Sequence, residues 1–137
     1  MSRGAKKLSL LHIQGAVVER LSNDIILKSM VNGVYDELKQ GYKLPYVQIG
    51  DDTNTPYDTK TSYGDDATIT LHAWSAGPGK PEAKRIMDAI TQSLTSAPLL
   101  LPDDFTFEGL ELEFSECFND GQAYHGVCRF RIYVKQN

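Results

Sequence analysis

The stretch from Phe105 to Val134 reads as two long strands around a turn, and it restricts the chain to folds built on an antiparallel sheet. The second strand puts Cys128, Phe130, Ile132 and Val134 on one face and Arg129, Arg131 and Tyr133 on the other, the alternation of a sheet buried on one side. In the first strand Phe105 and Phe107 alternate, then Leu110, Leu112 and Phe114 alternate in the opposite phase. Gly109 stands at the switch, where a bulge costs little. Asn119-Asp120-Gly121-Gln122 between them is a turn signal. A hairpin centred near Gly121 pairs Leu112 with Phe130, Glu113 with Arg129 and Glu111 with Arg131. One face is then apolar and the other charge-paired, an agreement that a one-residue slip would destroy. The same alternation sets Cys117 out of phase with Leu112 and Phe114. The two cysteines are therefore expected on opposite faces and reduced, unless a bulge resets the phase.

Upstream, Leu10, Ile13, Val17 and Leu21 form one stripe of an amphipathic helix from about Leu8 to Leu21. Ser22-Asn23-Asp24 breaks it and offers caps for a short helix, Ile25 to Val31, which Asn32-Gly33 stops. Val34 to Leu38 reads as a short strand and Pro45 to Gly50 as a clearer one. The Asp-, Thr- and Ser-rich stretch 51–66 reads as a mobile loop or long hairpin tip. A strand from Ala67 to Ser75 follows, with Ile69, Leu71 and Ala73 on one face and Thr68, Thr70, His72 and Trp74 on the other. After a Gly-Pro-Gly turn, Pro81 and Glu82 open a helix whose buried stripe is Ala83, Ile86, Met87, Ile90 and Leu94. The expected fold class is α+β, a mainly antiparallel sheet with helices packed on one face, as a single domain over 1–137.

A length of 137 residues suffices to bury a core without disulfides or metals. The balance of 14 basic to 18 acidic side chains, net charge -4, argues against a nucleic-acid footprint, which needs a basic stripe. The N-terminal MSRGAKKLSLLHI is too soon interrupted by Gln14, Glu19 and Arg20 for a signal peptide, and no apolar run is long enough to span a membrane. A soluble protein made in a cytosol is expected.

Catalytic signatures fail one by one. Gly77-Pro78-Gly79-Lys80 sits where a P-loop would, but Trp74 stands where its first Gly belongs and Pro81 where the metal-binding hydroxyl belongs. A structural turn is the simpler reading; weak anion or nucleotide binding at the following helix terminus is the other. No H-x-x-x-H, C-x-x-C or G-x-S-x-G occurs. The adjacent acids read as caps or solvated surface rather than a general acid–base pair. No metal or cofactor is expected, and no enzymatic activity. What is left is surface: His72, Trp74, Arg129, Arg131 and Tyr133 on the outer sheet face, with Tyr57 and Tyr63 from the 51–66 stretch. Aromatic residues and Arg in such company suit a protein–protein contact; a solvated, charge-laced face is equally open.

The order of words is more specific. LSND, IILKSMVNGVYDE, LPYVQIGDD, TITLHAWSAGPGKPEAKRIMDAI and HGVCRFRIYV resemble the tail completion, or tail-to-head joining, proteins of long-tailed bacteriophages, from about Leu8 to Lys135. The resemblance implies a structural virion protein at the head–tail interface, assembled in the host cytoplasm as a homo-hexameric ring. Its implied partners are its own copies, the major tail tube protein and the head connector or stopper protein. DNA would pass through the central channel without specific binding, and no membrane is involved. Carboxylates at Asp51, Asp52, Asp65 and Asp66 are candidates to line that channel and repel DNA. A tail terminator capping the tube is the neighbouring alternative; a small anion-binding regulator using Gly77 to Lys80, or a host-encoded protein of the same fold, are alternatives of other classes.

Overall fold

The computed structural model describes residues 4–137; the first three residues of the expected domain lie outside the described residues. Among the described residues three helices and five strands follow in the order α1 (Leu10–Ser22), α2 (Ile25–Met30), β1 (Val34–Tyr35), β2 (Tyr46–Pro56), β3 (Gly64–Ser75), α3 (Pro81–Thr95), β4 (Phe105–Asn119) and β5 (Tyr124–Gln136). The strands make one sheet in the order β1-β2-β3-β5-β4. Every neighbouring pair is antiparallel except β1 with β2. α3 carries the chain from β3 to the far edge, and β5 then returns between β3 and β4. This is the expected α+β class.

The helices cover one face because only one face is apolar. Val47, Ile49, Ile69, Leu71, Ala73, Phe130, Ile132 and Val134 meet Ile13, Val17 and Leu21 of α1 and Ile86, Ile90 and Leu94 of α3 in a single cluster. The α3 stripe is as the sequence predicts, with Ala83, Ile86, Ile90 and Leu94 fully enclosed and Met87 half-buried. α2 begins where Asp24 accepts the Leu27 backbone N–H at 2.9 Å. Hydrogen bonding to that amide, the strongest influence, holds the Asp24 carboxyl below its ordinary range. Asp24→Ala should therefore cost about 1 kcal/mol in an equilibrium melt, while leaving the sheet intact by far-ultraviolet circular dichroism.

Two expectations need correction. The terminal hairpin pairs Leu112 with Phe130 and Glu111 with Arg131 as the alternation requires, and a bulge falls between Phe107 and Gly109. A second bulge, between Leu112 and Phe114, is not visible in the alternation. It leaves Glu113 unpaired in the ladder and sets Phe114, not Glu113, opposite Arg129. Residues directly opposite share a face, so Phe114 leaves the apolar side for the open one. Beyond the bulge Ser115 pairs with Cys128 and Cys117 with Gly126, which returns Cys117 to the helix-covered side. Both thiols thus face the same way, and both are free. Burial, the leading cause, pushes the Cys128 thiol up to about 11.

The second correction concerns 51–66. Residues up to Pro56 and from Gly64 belong to the β2–β3 hairpin, which continues past an irregularity between Ile49 and Asp52. Threonines carry this extension: Thr53 pairs with Thr68, their hydroxyls 2.5 Å apart. Only 57–63 forms the connecting tip. Polar strand residues such as those of β2 beyond Gly50, which are mostly exposed, look like a loop in composition.

Candidate functional site

The open face of the sheet divides into an aromatic end and a charged end. At the aromatic end His72 of β3 and His125 of β5 flank Trp74. His72 Nδ1 lies 2.7 Å from His125 Nε2, and the His125 ring stacks on the Trp74 ring with centroids 3.8 Å apart and planes 12° from parallel. Trp74 Nε1 donates to Gln48 Oε1 at 3.0 Å, and Phe118 tilts against His125 at 4.9 Å. Gly50 makes the space: a Cβ there would come 2.5 Å from His72 Nε2 and 2.9 Å from the Thr70 carbonyl. Burial, the main cause, pulls both imidazoles below their ordinary value. Asp51 opposes this at His72. His125 is lowered further by His72, against the pull of Asp120 and Glu116.

At the charged end the Glu113 bulge explains itself. One carboxylate accepts from Arg129 Nε at 2.8 Å and from Arg131 Nε at 3.0 Å, with a further Arg131 guanidinium contact. Hydrogen bonds from Arg131 and then Arg129 hold the Glu113 carboxyl below its usual range. Arg131 also donates to Asp66 at 2.6 Å, and Phe114 lies under the Arg129 guanidinium at 5.2 Å. Tyr133 donates to Glu111 at 3.3 Å. Tyr57, at the hairpin tip, donates to Glu108 at 2.8 Å; burial first, then that carboxylate, pushes its phenol up to about 12. Exposed ion pairs add little stability, so this ladder fixes side-chain geometry more than it holds the fold.

Of the contact residues expected from sequence, His72, Trp74, Arg129, Arg131 and Tyr133 share this face, with Tyr57 at its margin. Tyr63 serves elsewhere: its hydroxyl donates to the Gly4 carbonyl and Lys6 lies 5.2 Å from its ring. His125 was legible, since it shares the odd parity of Arg129 and Arg131; Phe114 and Phe118 were hidden by the bulge. The four candidate channel acids separate. Asp51 and Asp52 are exposed. Asp66 is tied to Arg131. Asp65 is 3% exposed and accepts from Ser9 Oγ, Lys6 Nζ and Asn54 Nδ2 at 2.5, 3.0 and 3.0 Å.

The Gly77 to Lys80 turn keeps its own carboxylate. Ser75 Oγ donates to Glu82 Oε1 at 2.6 Å and accepts the Gly77 N–H at 3.0 Å. With Glu82 in the first turn and Pro81 lacking an N–H, little is left for an external anion. Millimolar inorganic phosphate should leave the amides of Gly79, Lys80 and Glu82 unmoved in a nuclear magnetic resonance titration; saturable shifts there would restore the anion-binding alternative. Among the described residues no three His, Cys, Asp or Glu side chains gather to hold a metal, and no helix is long and apolar enough to cross a membrane.

A second surface lies on the helix side. Ile25, Ile26 and Leu100 are 84%, 66% and 85% exposed and border a groove of about 520 Å³ between α1, α2 and the end of α3. Ile25 and Ile26 fall outside the α2 residue that packs inward, Leu27. Adjacent isoleucines at the start of a six-residue helix are the sequence signal for it.

Fold and surfaces together define a small α+β subunit with outward-facing aromatic, charged and apolar patches of the kind used in assemblies. The chain belongs to the tail completion protein gp17 family, whose model matches residues 15–135, and is a structural protein of phage tails. It is 34% identical to tail completion protein gp17 of Bacillus phage SPP1 over 133 residues, 96% of this chain and 98% of that protein. The solved structure of bacteriophage SPP1 gp17 superposes with a TM-score of 0.64 at 33% identity, covering 92% of this chain and 91% of that one. A chain from the virion of a native gene transfer agent particle shares the fold, with a TM-score of 0.85 at 22% identity over 95% and 99% of the two chains.

Proposed function

We propose that this chain completes the end of a phage tail and joins it to the head connector, acting without enzymatic activity as one subunit of a homo-hexameric ring. The observation that carries the proposal is the near full-length agreement with SPP1 gp17, a tail completion protein. The distribution of surface supports it. A joining subunit needs contacts in more than one direction, and this one offers an aromatic and charged open sheet face as well as, on the helix side, a mixed groove bordered by the exposed Ile25, Ile26 and Leu100. Its partners are further copies of itself, the tail tube protein and the connector or stopper protein, within the virion at the head–tail interface. Asp51 and Asp52 are the carboxylates available to line a DNA channel, since Asp65 and Asp66 are engaged within the chain; like-charge repulsion would let DNA slide through unbound.

The test is electron microscopy of particles made by a phage lacking this chain. Separate DNA-filled heads and full-length tails are expected. Tails of irregular length would favour the terminator role, and infectious virions of normal form would refute both.

A further inference from the structure

We propose that His72 and His125 form a proton-sensitive latch that holds the aromatic end of the open sheet face in one arrangement and releases it when both rings are charged. The inference is independent of the tail-joining role, because it rests on the internal geometry of the face.

The 2.7 Å contact between His72 Nδ1 and His125 Nε2 needs one hydrogen between two nitrogens. With both imidazoles neutral, one donates and the other accepts. A first additional proton is tolerated, because it can reside on the nitrogen facing away from the contact and the bond persists as imidazolium to imidazole. A second proton is not tolerated: both facing nitrogens would then carry hydrogens, and two like charges would lie in contact. The pair therefore titrates as a unit, in two macroscopic steps.

The surroundings decide how far the steps are displaced. β2 presents Gln48 and Gly50 to the pair, neither of them titratable, and Asp51 beyond them. β4 contributes Phe118 in ring contact, with Glu116 and, in the turn, Asp120 at longer range. β3 and β5 contribute the two histidines themselves, with Trp74 of β3 stacked on His125 beside the pair. The three carboxylates pull toward the charged forms, but burial of both rings, and at His125 the charge of His72, prevail, so both imidazoles stand below the ordinary histidine value. The sign follows. The unfolded chain binds protons more tightly than the folded pair, so the contribution of the latch is complete above the ordinary value and is lost as pH falls below it.

Opening has a built-in reporter. Trp74 is the sole tryptophan and is stacked directly on His125, so its emission responds to charge on that ring and to loss of the stack. The experiment is a fluorescence titration of the full chain from pH 8 to pH 4.5, with far-ultraviolet circular dichroism recorded in parallel. The wild type should show a change broader than a one-proton curve, with its lower step well below the ordinary histidine range. His72→Gln should remove the lower step and leave a single titration of His125 displaced upward; His125→Gln should abolish the change. The circular dichroism should hold steady through the transition. A wild-type curve that is flat, or that His72→Gln leaves unaltered, would overturn the proposal. So would an emission change that coincides with loss of secondary structure, since opening would then be global unfolding.

Discussion

Truncation of Phe130 to alanine is expected to lower the unfolding free energy by about 4 kcal/mol, the upper part of the range for buried aromatic residues. The ring is 0% exposed and sits in the central position of its layer. On β5 it lies opposite Ile69 of β3 on one side and Leu112 of β4 on the other. Rigid strands on both flanks and helices above leave the neighbours little freedom to collapse into the space. The loss would therefore include a cavity contribution beyond the transfer of the ring. A urea melt with an unchanged slope would measure it. A loss under about 1 kcal/mol would mean that the helices close over the gap, and that the core is softer than its enclosure indicates. Phe130→Leu, which keeps most of the apolar contact, should lose about half as much.

Asp65→Ala comes next, with an expected loss of about 3 kcal/mol. Asp65, next to the tip of the β2–β3 hairpin, ties the N-terminal arm to it by accepting from Ser9 and Lys6, and it also accepts from Asn54 of β2. Its removal strands the Ser9 hydroxyl, in a residue 0% exposed, without its acceptor. Asp52→Ala, at an exposed site four pairings away from Asp65, should change stability by no more than about 0.5 kcal/mol. Equal effects at the two positions would show that the arm is not held by the carboxylate. The pH dependence has a definite direction. Burial raises the Asp65 carboxyl, but hydrogen bonds from Ser9, Asn54 and Lys6, with the Lys6 charge, outweigh it and hold the group below its ordinary range. A depressed carboxyl contributes its full stability above the unfolded value near 3.9, and the contribution is lost as pH falls through the folded one. An acid melt of Asp65→Ala should accordingly be flatter than that of the wild type in this region.

Much of the architecture was legible because it is written in periodicity. The stripes of α1 and α3 and the alternation of β3 and β5 each name their buried face without reference to the rest of the chain. Gly109 announced the first bulge of β4, since a residue without Cβ at a phase change has few other uses. Glu113 announced nothing. Its bulge is stabilised by two arginines on a different strand, and an interaction of that range leaves no mark on local spacing. The bulge moves Phe114 and Cys117 to the side opposite the one the alternation predicts, because a strand has only two sides. The extension of β2 past Gly50 was missed for another reason: threonine and asparagine pair well on an exposed hairpin, yet their polarity resembles that of a loop. On the open face, the separate residues were identifiable but their partnership was not, as His72 and His125 meet only through the pairing of β3 with β5.

The bulges bear on how the free edge of the sheet meets other backbones. β4 is an outermost strand of 15 residues, and a straight polar rim of that length would invite a stranger's backbone to zip alongside. The interruptions at Glu108 and Glu113 divide the rim into short runs, each turned slightly from the last. An edge broken in this way offers a second chain no long straight run of backbone on which to extend the sheet.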